Sequence, residues 1–318
     1  MLNSLKKSLR WCSLSVMMIS CSDDNKNEVP PPPQVATPLV GSAAPAERPL
    51  LVVFGDSLAT GVLANTHLGQ AFDTSIGQQL GKLLSQGATD KEEAQKILSN
   101  PELAASTTTA PYGIRAAIAA TRQLKPEDID VVSLARFGAK AEDMEEMQSD
   151  LNAQLAPSQG RLPQYIFIML GGNDFCSEET PADFRTRYQE RVMAVHDQYP
   201  NAHYIIAPVP PVDQLAAIDF DYGPAVPGLG GSSLSCQSLR QRSCSMIYRP
   251  DAAQRIKEIN QAVSDATAAL TATGARVDFA GEVSQWPIQA EQLAIDCFHP
   301  SEKGQEAIGQ YVGRAIKL

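Results

Sequence analysis

From Pro49 onward, short β-branched apolar runs alternate with longer stretches in which apolar residues recur at helical spacing. The runs Leu50 to Phe54, Asp130 to Leu134, Tyr165 to Leu170, His203 to Ala207 and Ala275 to Phe279 are each followed by Gly, Pro or a polar turn, and they predict strands. Between them, helical spacing covers Ile76 to Leu84, Lys91 to Leu98, Ile114 to Arg122, Ala141 to Leu155, Pro181 to Tyr199, Pro250 to Thr271 and Ser301 to Ile316. Strand and helix in alternation imply parallel pairing through right-handed crossovers, so the expected class is α/β with a central parallel sheet. One segment breaks the rhythm. Pro208 to Arg249 is rich in Gly, Pro and Ser and predicts a long insertion loop, a candidate lid or substrate wall.

The first 48 residues follow a different pattern. Lys6, Lys7 and Arg10 precede a short apolar run from Trp11 to Ile19, too short for a permanent membrane span, which predicts a signal peptide over residues 1–20. The stretch Met18-Ile19-Ser20-Cys21 resembles the cleavage box of bacterial lipoproteins, with Met18 where Leu is usual; that resemblance implies lipidation at Cys21 and an exported, cell-envelope protein. Without lipidation, the expectation is a secreted or periplasmic chain. Residues 21–48, with four consecutive prolines at Pro30 to Pro33 and little to bury, predict an extended tether carrying a folded domain over residues 49–318.

Composition narrows the function classes. With 43% hydrophobic and 19% charged residues, the chain is neither a disordered polyelectrolyte nor a multispan membrane protein. Its formal net charge is −10, becoming −13 once the three cations of residues 1–20 are removed, which disfavours nucleic acid as a partner. Nothing in the sequence fixes an oligomeric state.

In an open α/β sheet, ligands bind beyond the carboxyl ends of the strands, so the residues there come first. Gly55-Asp56-Ser57-Leu58 follows the first strand and can present the Ser57 hydroxyl at a sharp turn. Gly138 follows the second and can offer an unobstructed N–H; in Gly171-Gly172-Asn173-Asp174, after the third, the Asn173 amide can donate to developing negative charge. In Asp296-Cys297-Phe298-His299, two intervening residues let the carboxylate reach one imidazole nitrogen while the other faces outward. His67, His196 and His203 have no such neighbour and read as surface or packing residues. The acidic stretch Glu142 to Asp150 carries Met144 and Met147 at core spacing on a helix. There is no Gly-x-Ser-x-Gly elbow, Walker loop, dinucleotide fingerprint, Cys-x-x-Cys or His-Glu-x-x-His, so no cofactor or metal is expected.

Taken in order, these blocks resemble the SGNH, or GDSL, family of serine hydrolases over roughly residues 49–318. The resemblance implies a three-layer, flavodoxin-like fold and signature residues Ser57, Gly138, Asn173 and His299. It further implies a Ser57–His299–Asp296 triad, with the Ser57 and Gly138 N–H groups and the Asn173 side chain as an oxyanion hole. The wording Gly-Gly-Asn-Asp-Phe-Cys with Asp-Cys-Phe-His-Pro-Ser is similar to the phospholipase B-type branch, which implies lipid acyl esters as substrates. Carbohydrate or peptidoglycan O-acetyl esters are the alternative, and a non-catalytic surface lipoprotein is a third.

Beyond Cys21, the exported chain keeps Cys176, Cys236, Cys244 and Cys297, which allow three connectivities. Cys236 with Cys244 would staple the insertion, and Cys176 with Cys297 would pin the Asn173 turn against His299.

Overall fold

A computed structural model describes residues 48–69, 113–156, 161–222 and 235–317. The signal segment, Cys21, the tether up to residue 47 and the helices expected at Ile76 to Leu84 and Lys91 to Leu98 lie outside the described residues. So do residues 223–234 of the insertion.

Five strands, β1 (Leu50–Gly55), β2 (Asp130–Ser133), β3 (Tyr165–Met169), β4 (His203–Ile206) and β5 (Arg276–Phe279), form one all-parallel sheet in the order β2-β1-β3-β4-β5. β1 and β3 are buried along their whole length, as their near-continuous apolar runs require in a sheet covered on both faces. The edge strands β2 and β5 are more polar and partly exposed.

The described helices are α1 (Ser57–Thr60), α2 (Ile114–Thr121), α3 (Met144–Leu155), α4 (Gly172–Phe175), α5 (Pro181–Gln198), α6 (Cys236–Ser243), α7 (Ala252–Ala272) and α8 (Glu302–Ala315). α5 packs along α7, and α2 along α8. The period of two in β1 divides its residues between faces; Leu51 and Val53, with Val131 and Phe167 beside them, line a cavity closed by Ile114 of α2 and Ile308 of α8. Met144 and Met147 are buried in the core, as the spacing of the acidic helix implies.

The insertion is not an irregular loop throughout. Val212–Ala217 and Ser245–Tyr248 are 3-10 turns, and Ser235 and Ser238 exchange side-chain and backbone hydrogen bonds in a capping box that starts α6. Cys236 and Leu239 of α6 pack with Val62, Leu63, Ile295 and Cys297 in a second apolar cluster beside the main core.

That helix also overturns both expected cysteine pairings. Cys236 opens α6 and Cys244 lies just past its end, roughly 12 Å apart along a helix of 1.5 Å rise, beyond the ~7 Å a disulfide spans. The bridges are Cys176–Cys244 and Cys236–Cys297, with Cα separations of 4.9 and 5.3 Å, replacing Cys236–Cys244 and Cys176–Cys297.

Candidate active site

With strand order 2-1-3-4-5, the topology reverses between β1 and β3, and the crevice beyond their carboxyl ends is where such sheets bind ligands. Ser57, Asn173 and Gly138 follow β1, β3 and β2 there.

Asp56 caps α1, its carboxylate accepting the Leu58 N–H at 2.9 Å, and Ser57 is the helix's first residue. The turn is tight: a Cβ on Gly55 would lie 2.3 Å from the Ala59 methyl, so only glycine fits. Ser57 Oγ is 2.9 Å from His299 Nε2, and His299 Nδ1 is 2.5 Å from Asp296 Oδ2; the three side chains are buried. The hydroxyl and imidazole, 242 residues apart in sequence, meet directly.

The Asp-x-x-His spacing works as an Asx-type turn. Asp296 Oδ1 accepts the Phe298 and His299 N–H groups at 3.1 and 3.0 Å, leaving Oδ2 for the imidazole. Burial opposes ionisation of Asp296 more than any other single influence, but the His299 ring and these hydrogen bonds together outweigh it and hold the carboxyl below its ordinary value. Cys297 sits in the left-handed region at φ 62°, tied to α6 by its disulfide, while Thr66 and Tyr222 hydrogen-bond the backbone of Ile295.

The third component gathers hydrogen-bond donors. In the first helical turn, the Ser57 N–H has no intrahelical acceptor. Gly138 has φ +73°, a conformation that favours glycine, and nothing lies within 4 Å of where its Cβ would stand. Asn173 Nδ2 donates one hydrogen to the Ala139 carbonyl at 2.9 Å, which orients the carboxamide and leaves its second hydrogen available. A hydroxyl held against an imidazole that a carboxylate orients, at the strand ends from which hydrogen-bond donors also follow, can perform acyl transfer.

Two buried acids went unread in the sequence, where both look like ordinary turn residues. Asp56 accepts from Leu58 and, across to the next loop, from the Gly172 N–H at 3.2 Å; burial pushes it up to about 6 against those hydrogen bonds and the nearby His299. Asp174 receives the Ala141 N–H at 3.2 Å on both oxygens, and burial, reinforced by Glu179 and Asp56, pushes it up to about 7 against that hydrogen bond. The available signal was an acid directly beside each candidate site residue at a strand end.

The other histidines lie elsewhere. His196 bonds Thr273 on the surface, and His67 bonds the Leu68 carbonyl. His203, read as a surface or packing residue without a sequence-adjacent acid, is buried and pairs with Asp278 of the neighbouring strand at 2.9 Å; Asp278 comes 75 residues later, so local sequence could not reveal it. Burial lowers the His203 value despite Asp278.

No curated protein matches this sequence significantly. Among solved structures, a lipase/acylhydrolase from Enterococcus faecalis shares 17% identity over 84% of this chain and 94% of that one, with a TM-score of 0.41. A family 3 carbohydrate esterase from Clostridium thermocellum shares 14% over 84% and 94% (TM-score 0.46), and an extracellular lipase from Streptomyces rimosus 16% over 84% and 100% (TM-score 0.44). The sequence model of the GDSL-like lipase/acylhydrolase family matches residues 51–312, nearly the whole stretch that builds the sheet and the crevice, and the chain belongs to this family of ester hydrolases.

Proposed function

We propose that this ester hydrolase works through a Ser57–His299–Asp296 triad on lipid acyl esters. The observation that carries the reading is the unbroken path from Ser57 Oγ through both imidazole nitrogens to a buried carboxylate. His299 takes the Ser57 proton as Oγ attacks the ester carbonyl, and Asp296 holds the tautomer that leaves Nε2 free to accept it. The tetrahedral oxyanion is met by the Ser57 and Gly138 N–H groups and the Asn173 amide. His299 then protonates the departing alcohol, leaving an acyl-enzyme, and a water activated by the same imidazole releases the acid. A fluorophosphonate probe should label the wild type at Ser57 and leave Ser57→Ala unlabelled; equal labelling of both would refute the triad.

A lipid acyl chain is supported by the aromatic rings beside the imidazole, where Phe137 and Phe298 lie within 6 Å of the His299 ring, centroid to centroid. We place the enzyme at the bacterial cell envelope, residues 49–318 forming the hydrolase domain and residues 21–48 a tether from a lipidated Cys21. Cys21→Ser should then move the protein from the membrane fraction to the soluble one. A second reading, a sugar ester, is favoured by an open groove at the carboxyl ends of β4 and β5 whose walls include Gln214, Gln261, Ser264 and Gln285. Rates on p-nitrophenyl esters separate the two: a plateau toward long acyl chains supports lipid, and a sharp fall beyond acetate supports the sugar ester.

A further inference from the structure

The Gly138 N–H and the Asn173 amide belong to different loops, so an oxyanion hole made from both needs those loops held in fixed register. Three hydrogen bonds cross between the loops that follow β1, β2 and β3. Gly172 N–H reaches Asp56 at 3.2 Å, Asn173 Nδ2 reaches the Ala139 carbonyl at 2.9 Å, and Ala141 N–H reaches the Asp174 carboxyl at 3.2 Å. Asp174 is fully buried, and the triad has no use for it. Its backbone is immobilised from the far side: Arg255 of α7 donates to the carbonyls of Asp174, Phe175, Ser177 and Glu179, and the Cys176–Cys244 bridge follows at once. The Asn173 turn is thus a fixed base, and Asp174 and Asn173 grip the Gly138 loop at two points, Ala141 and Ala139.

We infer that Asp174 is a positioning residue that sets the spacing between the Gly138 and Asn173 oxyanion donors by holding Ala141 through its N–H. The inference rests on the oxyanion roles proposed above. Among the described residues, Asp56, Glu179, Tyr188 and Arg255 face Asp174, and Arg255 is occupied by backbone carbonyls. An asparagine in its place would still offer Ala141 one acceptor oxygen without requiring a charge.

Steady-state kinetics on p-nitrophenyl acetate test this. Asp174→Ala should lower kcat by about 30-fold or more with KM within about threefold, because a misplaced donor is felt in the transition state rather than on binding. Asp174→Asn should stay within about threefold of the wild type, a rescue that a loss of mere bulk would not need. On an Asn173→Ala background, Asp174→Ala should cost less than about threefold more, since the hole is already broken. Should the alanine variant not fold, Asp174→Leu, which leaves no cavity, carries the same expectation. A kcat within threefold of wild type for the acceptor-free variant, an asparagine variant as slow as it, or losses that simply multiply would overturn the inference. If the wild type hydrolyses the ester and Ser57→Ala does so equally well, the triad reading fails instead.

Discussion

Asn173 has two hydrogens on its amide nitrogen and one is spent on Ala139, so its function and its packing can be separated by mutation. Asn173→Ala is expected to lower kcat by about 10²- to 10³-fold, while one net hydrogen bond is worth only about 1 kcal/mol of stability. Turnover on a p-nitrophenyl ester set against a thermal melt checks this, and a stability loss without a kcat loss would contradict it. The buried acids Asp56 and Asp174 make a second expectation. Each holds a proton when folded at pH values where the unfolded chain, at its ordinary value of 3.8, has lost it. Their contribution to stability is therefore full below about pH 4 and is lost as pH rises through about 6 and 7, amounting to roughly 3 kcal/mol for Asp56 and roughly 4 kcal/mol for Asp174 at 1.36 kcal/mol per pH unit. Asp296, held below its ordinary value, acts in the opposite sense and destabilises only on acidification. Denaturant unfolding between pH 5 and 8 should show stability falling with pH, and Asp174→Asn should flatten that fall. Asp56→Asn should be worse tolerated than Asp174→Asn. Asp56 serves two separate donors, Leu58 and Gly172, and an amide would turn an N–H toward one of them.

At the scale of elements, what could be read from the sequence was what local pattern determines. All five strands stand where short apolar runs ended in turn residues, and α2, α3, α5, α7 and α8 lie within two residues of their expected starts or directly behind a 3-10 turn. The insertion was misread because composition outvoted a four-residue signal: Ser235 and Ser238 form a capping box inside a stretch whose Gly, Pro and Ser content reads as loop. Disulfide partners were illegible for a different reason. The bridges close loops of 68 and 61 residues, and pairing over that distance depends on tertiary structure. Their placement gives α6 a role that a loose loop could not have, since Cys236 ties it directly to the turn between Asp296 and His299. Replacing Cys236 and Cys297 together by alanine is expected to cost about 2 to 4 kcal/mol in stability. It should also lower kcat, because the bridge to α6 no longer holds position 297 in a positive-φ conformation that any residue with a Cβ adopts only with strain. Thermal melts and ester kinetics on the double variant check both parts; an unchanged kcat would mean that Asp296 and its other hydrogen bonds hold the turn alone.

The whole molecule assembles its site from sequence-distant pieces by one topological choice. Because β1 lies between β2 and β3, the loops after all three converge on one crevice, and the closing helix α8 brings His299 back to Ser57. Gln305 of α8 donates to the Leu58 carbonyl at 2.9 Å, so the same helix that follows His299 also grips the Ser57 turn. Among the described residues, the contacts that orient Ser57, Asn173, Asp296 and His299 come from Pro49 onward. Deleting residues 1–47 is expected to leave kcat on a water-soluble ester within about twofold of the full chain, as the groups proposed for the chemistry all belong to the domain from Pro49 onward. On esters presented in lipid vesicles, the lipidated full-length protein should outpace the truncated one, since anchoring raises the effective concentration of enzyme at the surface. Parallel assays on soluble and vesicle-borne substrates separate the two. Equal rates on vesicles would remove the tether from the catalytic cycle, and a collapse on the soluble ester would show that the folded enzyme needs more than residues 48–318.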